Sequence, residues 1–306
     1  MKKSIIIILF ALFGLTACTE KMRIDTQDGD RLIGVSASIT DEYKKHEVIL
    51  SYTEDFYGGS PQMISNADVS VLDGILVAHE QNSDEFDTVW LNTISYDESN
   101  EPGYYLSSDE FAGQTDHVYR LMIDIYDSND AKHLYAVSKM NKNVDTIDSI
   151  VVKPWKFNEL EVKDMLGVYP YFLTTDDPKT YYMARVKINN KDVGGDTLTK
   201  CELFETLGFA GNYFNGSFMV AMAGEYPIYG LNQKKPLEVV NVGDTVTMDL
   251  WSIPRSYAHY IYEIASNSGT NPMMGTPYNV STNIYPEGMA VGCFHASSLR
   301  QCSVIY

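Results

Sequence analysis

Apolar and polar residues alternate with a period of two along much of this chain, and that pattern confines it to a strand-rich fold. In VYRLMIDIYD, residues 118–127, Tyr119, Leu121, Ile123 and Ile125 share one face while Arg120 and Asp124 share the other. LIGVSASI, EVILSYTEDF and ADVSVLDG repeat the pattern earlier in the chain. Asp73-Gly74 and Gly58-Gly59 read as turns, and Pro102-Gly103 precedes another short strand at Tyr104-Tyr105-Leu106. Short strands at this spacing, without helical periodicity, predict an immunoglobulin-like β-sandwich of about seven strands over residues 32–143. The polar run MNKNVD, near Lys142 to Asp145, marks the expected boundary.

Strand signals resume beyond it. In YYMARVKI, Tyr182, Ala184, Val186 and Ile188 face one way and Arg185 and Lys187 the other; in DTVTMDLWSI, Val246, Met248 and Leu250 oppose Thr247 and Asp249. One helix is expected near 254–266. Ser252 is its N-cap, Pro254 lies in its first turn, and Tyr257, Ile261 and Ile264 form its apolar stripe. GMAVGCFHA and CSVIY read as two closing strands. The expectation for residues 144–306 is a calycin-like or barrel-like β domain with one packed helix. The whole is all-β, mainly antiparallel, with one late helix.

The first 17 residues read as a lipoprotein signal peptide. Met1-Lys2-Lys3 is basic and Ile5 to Ala17 is apolar or small, too short to cross a bilayer. The run ends Leu15-Thr16-Ala17-Cys18, which resembles a bacterial lipobox, so Cys18 is the expected lipidation site. Several acyl chains at about 0.8 kcal/mol per buried CH₂ hold durably where one holds weakly. Residues 18–31, polar and rich in turn formers, then read as a flexible tether. Of the remaining cysteines, one bridge is possible, most simply Cys293 to Cys302 across a terminal turn; buried thiols at Cys201, Cys293 and Cys302 are the alternative.

Net charge is −18. A surface so acidic opposes a phosphate backbone, which excludes nucleic acid as a partner. The acids concentrate in the first half: 24 against 9 bases from Thr19 to Asn143, compared with 17 against 12 from Val144 to Tyr306.

The chain carries no phosphate-binding loop, no GxSxG and no HExxH. His46, His79, His117, His133, His259 and His295 show no ligand spacing, and no metal or cofactor is expected. Asp41-Glu42, Asp84-Glu85 and Asp176-Asp177 are adjacent acids that read as solvated loops rather than a glycosidase pair. DTQDGD (25–30) and DSNDAK (127–132) gather oxygen ligands without the spacing of a calcium loop. The 22 tyrosines suit half-buried strand faces, and a minority could form a surface that recognises a glycan, a peptide, another small molecule or a protein. The Met-Met-Gly-Thr-Pro-Tyr loop at 273–278 is a further contact candidate.

ISNADVSVLD, YRLMIDIYD, DTIDSI, YYMARVKI, FAGNYFNGSF and the tail from SYAHYIYEIAS to GMAVGCFHAS together resemble the Bacteroidota lipoprotein family called domain of unknown function 4249. On this resemblance, Cys293 stands where such proteins usually carry a larger apolar or aromatic residue. The resemblance implies an outer-membrane or cell-surface lipoprotein encoded beside a TonB-dependent receptor, hence a non-catalytic accessory of nutrient uptake. A hydrolase of glycans or peptides, and a structural or adhesive envelope protein, are the alternatives. Replacing Cys18 by serine is expected to abolish metabolic labelling by radioactive palmitate and to release the chain from the membrane pellet; undiminished labelling would remove the anchor from the account.

Overall fold

A computed structural model describes residues 31–54, 60–79, 86–127, 130–157, 160–193, 201–221, 226–227, 234–235, 240–268 and 280–306. The signal segment, Cys18, the tether up to residue 30, Gly58-Gly59, the Met-Met loop and DTQDGD lie outside the described residues.

Seven strands form the first half: β1 (Ile33–Thr40), β2 (Glu47–Tyr52), β3 (Asp68–His79), β4 (Phe86–Glu98), β5 (Tyr104–Ser107), β6 (His117–Asp127) and β7 (Asp130–Lys139). They pair in the order β1-β2-β5-β4-β3-β6-β7, all antiparallel. The path folds over, so that β1-β2-β5 faces β4-β3-β6-β7, the layer arrangement of an immunoglobulin-like sandwich. Alternation supplies the core. Ile33, Val35, Ala37 and Ile39 come from β1, Val48 and Leu50 from β2, Val69 and Val71 from β3, and Leu121, Ile123 and Ile125 from β6. Tyr105 is 1% exposed because its hydroxyl is satisfied, accepting from Ala67 N and donating to Ile64 O.

The second half contains β8 (Ser149–Phe157), β9 (Leu160–Tyr171), β10 (Tyr181–Ile188), β11 (Lys191–Asp192), β12 (Glu202–Glu205), β13 (Phe218–Ala221), β14 (Tyr226–Pro227), β15 (Lys234–Lys235) and β16 (Thr245–Ile253). After them come helix α1 (Arg255–Ser268), β17 (Ile284–Tyr285) and β18 (Ala290–Ile305). The expected barrel is corrected. β13-β9-β8 forms its own sheet and does not bond to β10-β16-β18, so two layers face one another across a core of Leu166, Val168, Phe172, Tyr182, Val246, Met248 and Leu250 without closing.

The chain's ending is also corrected. The two expected closing strands are one, β18, because Ser297-Ser298 continues the extended backbone instead of turning. Its first half pairs in parallel with β1, from Ile33↔Ala290 to Thr40↔Ser297. Its second half pairs antiparallel with β16, from Ser252↔Ser298 to Thr245↔Ile305. On one face Phe294 and Ala296 enter the sandwich core, while Cys302 and Val304 pack on the second core. Ile284 of β17 also joins the first core, so that core includes residues well beyond 143. The polar MNKNVD segment is clasped at this handover. Asn143, 2% exposed, donates to Leu250 O and Ser298 O, and Asp41 accepts from Leu299 N and from Arg300.

Three local readings change as well. Asp73-Gly74 is no turn but lies inside β3, at a bulge where Leu91 is the extra residue on β4. Ser252 lies in β16 and does not cap α1; the carbonyl of Pro254 accepts from Tyr257 N and Ala258 N and opens the helix. Cys293 and Cys302 share one extended strand, roughly 30 Å apart at about 3.3 Å per residue, beyond any disulfide. Among the described residues no helix is long and apolar enough to cross a membrane.

Gly292, with φ +108°, lies where an added Cβ would fall 1.9 Å from Val35 O, so the β1–β18 pairing needs glycine there. Gly292→Ala is expected to cost about 3 kcal/mol or more in urea unfolding, whereas Gly288→Ala, at φ +78° in open space, should cost only ~1–2 kcal/mol. Equal costs would mean that the close approach to β1 is unimportant.

Candidate functional site

The face of β3 that fills the sandwich core carries Val69, Val71 and Asp73, then continues outward through Ile75 to a second bulge at the exposed Val77. β6 ends opposite Ile75, at His117, so the last residues of β3 extend beyond the layer. The β4 bulge shifts the alternation by one and places Val89 opposite Ile75. Without that extra residue Val89 would sit on the opposite face. The result is a two-stranded arm whose apolar side has outrun its cover: Ile75 is 46% exposed, Val77 65%, Val89 55% and Leu91 48%. Gly74 permits Trp90 to lie across the other side, since an added Cβ would meet its ring at 2.8 Å. Covering side chains of this size when half exposed returns about 1 kcal/mol each, and a bare two-stranded ribbon is marginal in water. Such an arm is suited to binding an apolar surface.

The root of the arm is polar. His117 Nδ1 lies 2.7 Å from Asp73 Oδ1, both side chains being largely buried, and Tyr119 OH accepts from Gln114 N. Burial pushes the Tyr119 hydroxyl up to about 12, with Asp73 adding to the effect against the Gln114 bond. These groups close the end of the sandwich core beneath the arm.

The arm was not foreseen from alternation, which reports a buried face wherever it occurs. A signal for it does exist in the sequence: from His46 to Tyr119 there are fifteen Asp and Glu and no Lys or Arg. Apolar strands in a stretch so one-sided in charge are set up to meet something of opposite sign.

The other expected residues have structural assignments. Asp41 holds β18, and Glu42 pairs with the exposed Lys44. Asp177 accepts from Lys179 N in an exposed turn, and Asp84-Glu85 lies outside the described residues. His46 stays neutral, with Nε2 donating to Phe111 O and Nδ1 accepting from Thr40 N, and burial lowers its pKa. His259 approaches Arg255 on the exposed side of α1. DSNDAK spans the β6–β7 connection, partly outside the described residues, and among those described no three His, Cys, Asp or Glu gather to hold a metal ion. Asp68 and Asp124 are direct cross-strand neighbours lining a shallow depression with Ser70, Ser95 and Tyr96. Asp124 is already engaged by His133 at 2.6 Å. Tyr105, Tyr119 and Tyr182 are core residues, whereas Tyr43, Tyr126, Tyr213 and Tyr262 are exposed.

Helix α1 covers the outer face of β18 and β10. Tyr257 and Ile261 are buried with Met183, Ile253 and Cys293, and Tyr257 stacks on His295 at 3.6 Å between ring centroids. Burial raises the Cys293 thiol to about 12 and lowers the His295 imidazole to about 3. Burial also raises Cys201, against the opposing effect of Arg185. Thiols held protonated in this way are poor nucleophiles. The cluster secures the helix and offers no activated group.

A family model described as a domain of unknown function (DUF4249) matches residues 19–302. No curated protein matches the chain.

His295 makes stability pH-dependent. Its folded pKa lies below the unfolded value of 6.5, so as pH falls from 6.5 toward 3 the unfolded chain takes up a proton that the folded chain refuses. At about 1.4 kcal/mol per unit, the wild type should lose about 2 kcal/mol from this group between pH 6.5 and 5. His295→Phe keeps a ring on Tyr257 and should shrink the loss in urea unfolding over that window by that amount, leaving the slope due to the other groups. An unchanged slope would contradict the buried, neutral imidazole.

Proposed function

The chain belongs to the DUF4249 family, and we propose that it is a lipid-anchored outer-membrane protein that binds and docks, without catalysis, as an accessory of a TonB-dependent nutrient-uptake complex. The observation that carries this reading is the arm: Ile75 and Val89 continue a core face into solvent with Val77 exposed beside them, and among the described residues nothing covers it. The lipobox-like Leu15-Thr16-Ala17-Cys18 and the family resemblance supply the membrane and the receptor. An anchor confines the arm near its partner and raises the effective concentration without new contacts. A glycosidase would need two carboxylates free to act in a cleft; Asp68 and Asp124 instead line an open face, and Asp124 is tied to His133.

Affinity purification of the full chain from detergent-solubilised outer membrane is expected to recover a TonB-dependent receptor. The triple substitution Ile75→Ser, Val77→Ser, Val89→Ser should lose it while the chain still unfolds cooperatively in urea, its unfolding free energy falling by at most about 1 kcal/mol per site, because these side chains are half exposed. A wild-type chain recovered alone would sink the accessory role.

A further inference from the structure

The edge of β4 specifies how a partner would dock. β4 bonds to β3 along its length, but on its other edge β5 covers only Tyr96 to Glu98. Ser108 N closes that pairing by donating to Ser95 O. From Val89 to Ile94 no described strand lies on this edge. Backbone groups two residues apart on a strand point the same way. Since Ser95 O faces the β5 side, the N–H and C=O of Thr93 face the same edge, one step past the end of β5. Proteins usually guard such an edge with lysine or proline, and β4 has neither. Its one guard is the bulge at Leu91, which leaves Asn92 to Ile94 in line with β5.

We propose that this edge receives an extended segment of a partner protein as an added strand continuing the line of β5, its flanks bearing lysine or arginine. This rests on the docking role above and names its geometry. Main-chain hydrogen bonds to Thr93 would give the register, and apolar side chains of the added strand would pair across from Val89 and Leu91. Charge selects among occupants. The absence of any Lys or Arg between His46 and Tyr119, against fifteen acids, repels a second copy of this chain and an anionic membrane alike, and Asp97 and Glu98 stand at the β5 end of the open edge. A strand flanked by cations is attracted to the same place.

The test uses the full chain in detergent and a synthetic peptide of alternating valine and threonine with two lysines at each end. Two comparators replace the lysines by glutamates, or methylate alternate backbone nitrogens. The lysine peptide should slow hydrogen–deuterium exchange at Thr93 at least tenfold at saturation, less so in high salt, and neither comparator should. Thr93→Pro removes the donor on the open edge, since Asn92 and Ile94 face β3, and should weaken peptide binding tenfold or more. Thr93→Lys, a milder change at an exposed position, should weaken peptide binding tenfold or more and serves if the proline variant does not fold. Equal binding by the glutamate or methylated peptide, binding unaffected by either substitution, or protection of the edge by self-association without peptide would each overturn the proposal. Receptor recovery separates the two ideas. If the Thr93 variants still bring down the receptor, the edge is not the docking surface and the accessory role stands. If the wild type brings down none, the accessory role fails while the peptide result is judged on its own.

Discussion

β18 is one extended strand whose inward face belongs to two cores, and the rest of the molecule is arranged around that fact. A period of two keeps Phe294, Ala296, Cys302 and Val304 on one side over the whole length of the strand. The hydrogen-bonding partner changes from β1 to β16 between Ser297 and Ser298, and the backbone groups at that point are met by side chains. Asp41 takes Leu299 N where β1 has ended, and Asn143 takes Ser298 O from the linker. An unpaired polar group buried there would cost roughly 1–3 kcal/mol, so the polar character of the linker is a bonding requirement of the interior. The two halves are therefore coupled. The sandwich cannot complete its first layer until the end of the chain is available, and a β1–β18 pairing so distant in sequence favours slow folding.

The same economy explains the arm. An antiparallel layer has no reason to stop its apolar alternation where its neighbour stops, unless the sequence changes there. In β3 the face runs on: Val69, Val71, Asp73 and Ile75 keep one side across the end of the core, up to a second bulge at Val77. The bulge at Leu91 preserves that face on β4 after the register would otherwise have reversed it. One inserted residue thus decides whether Val89 lies on the exposed apolar face or on the opposite one.

Period-two patterning carried the strands and the all-β class, because alternation has a direct physical cause in each strand separately. It carried less wherever the outcome depended on which strands meet. Whether a set of strands closes into a barrel is settled by pairing between distant segments, and β8-β9-β13 finds no partner in the larger sheet. Asp73-Gly74 has turn composition, yet Gly74 is needed where Trp90 crosses the strand, a packing reason invisible along the chain. Cys293 and Cys302 looked bridgeable only while a turn was placed between them. The arm hid because exposed and buried continuations of one apolar face read identically; the missing Lys and Arg between His46 and Tyr119 distinguished it.

The register also fixes which way the arm points. Ile33, where the tether meets β1, pairs with Tyr52 at the end of β2, whereas Glu47 at the start of β2 pairs with Leu106, and Ser107 pairs with Tyr96. Following β4 backward from Tyr96 through Ile94 to Val89 therefore leads away from the tethered end of the sandwich. With an anchor at Cys18, the tether of about a dozen residues would allow at most roughly 45 Å of slack, while the arm would project from the opposite end of the domain. Its apolar face would then be held clear of the lipid, which would otherwise compete to cover it. An acidic surface around the arm reinforces that separation from anionic headgroups while favouring a basic protein segment. On the proposed role, anchor, charge and overhang would then favour the same encounter, with a partner that rises above the bilayer.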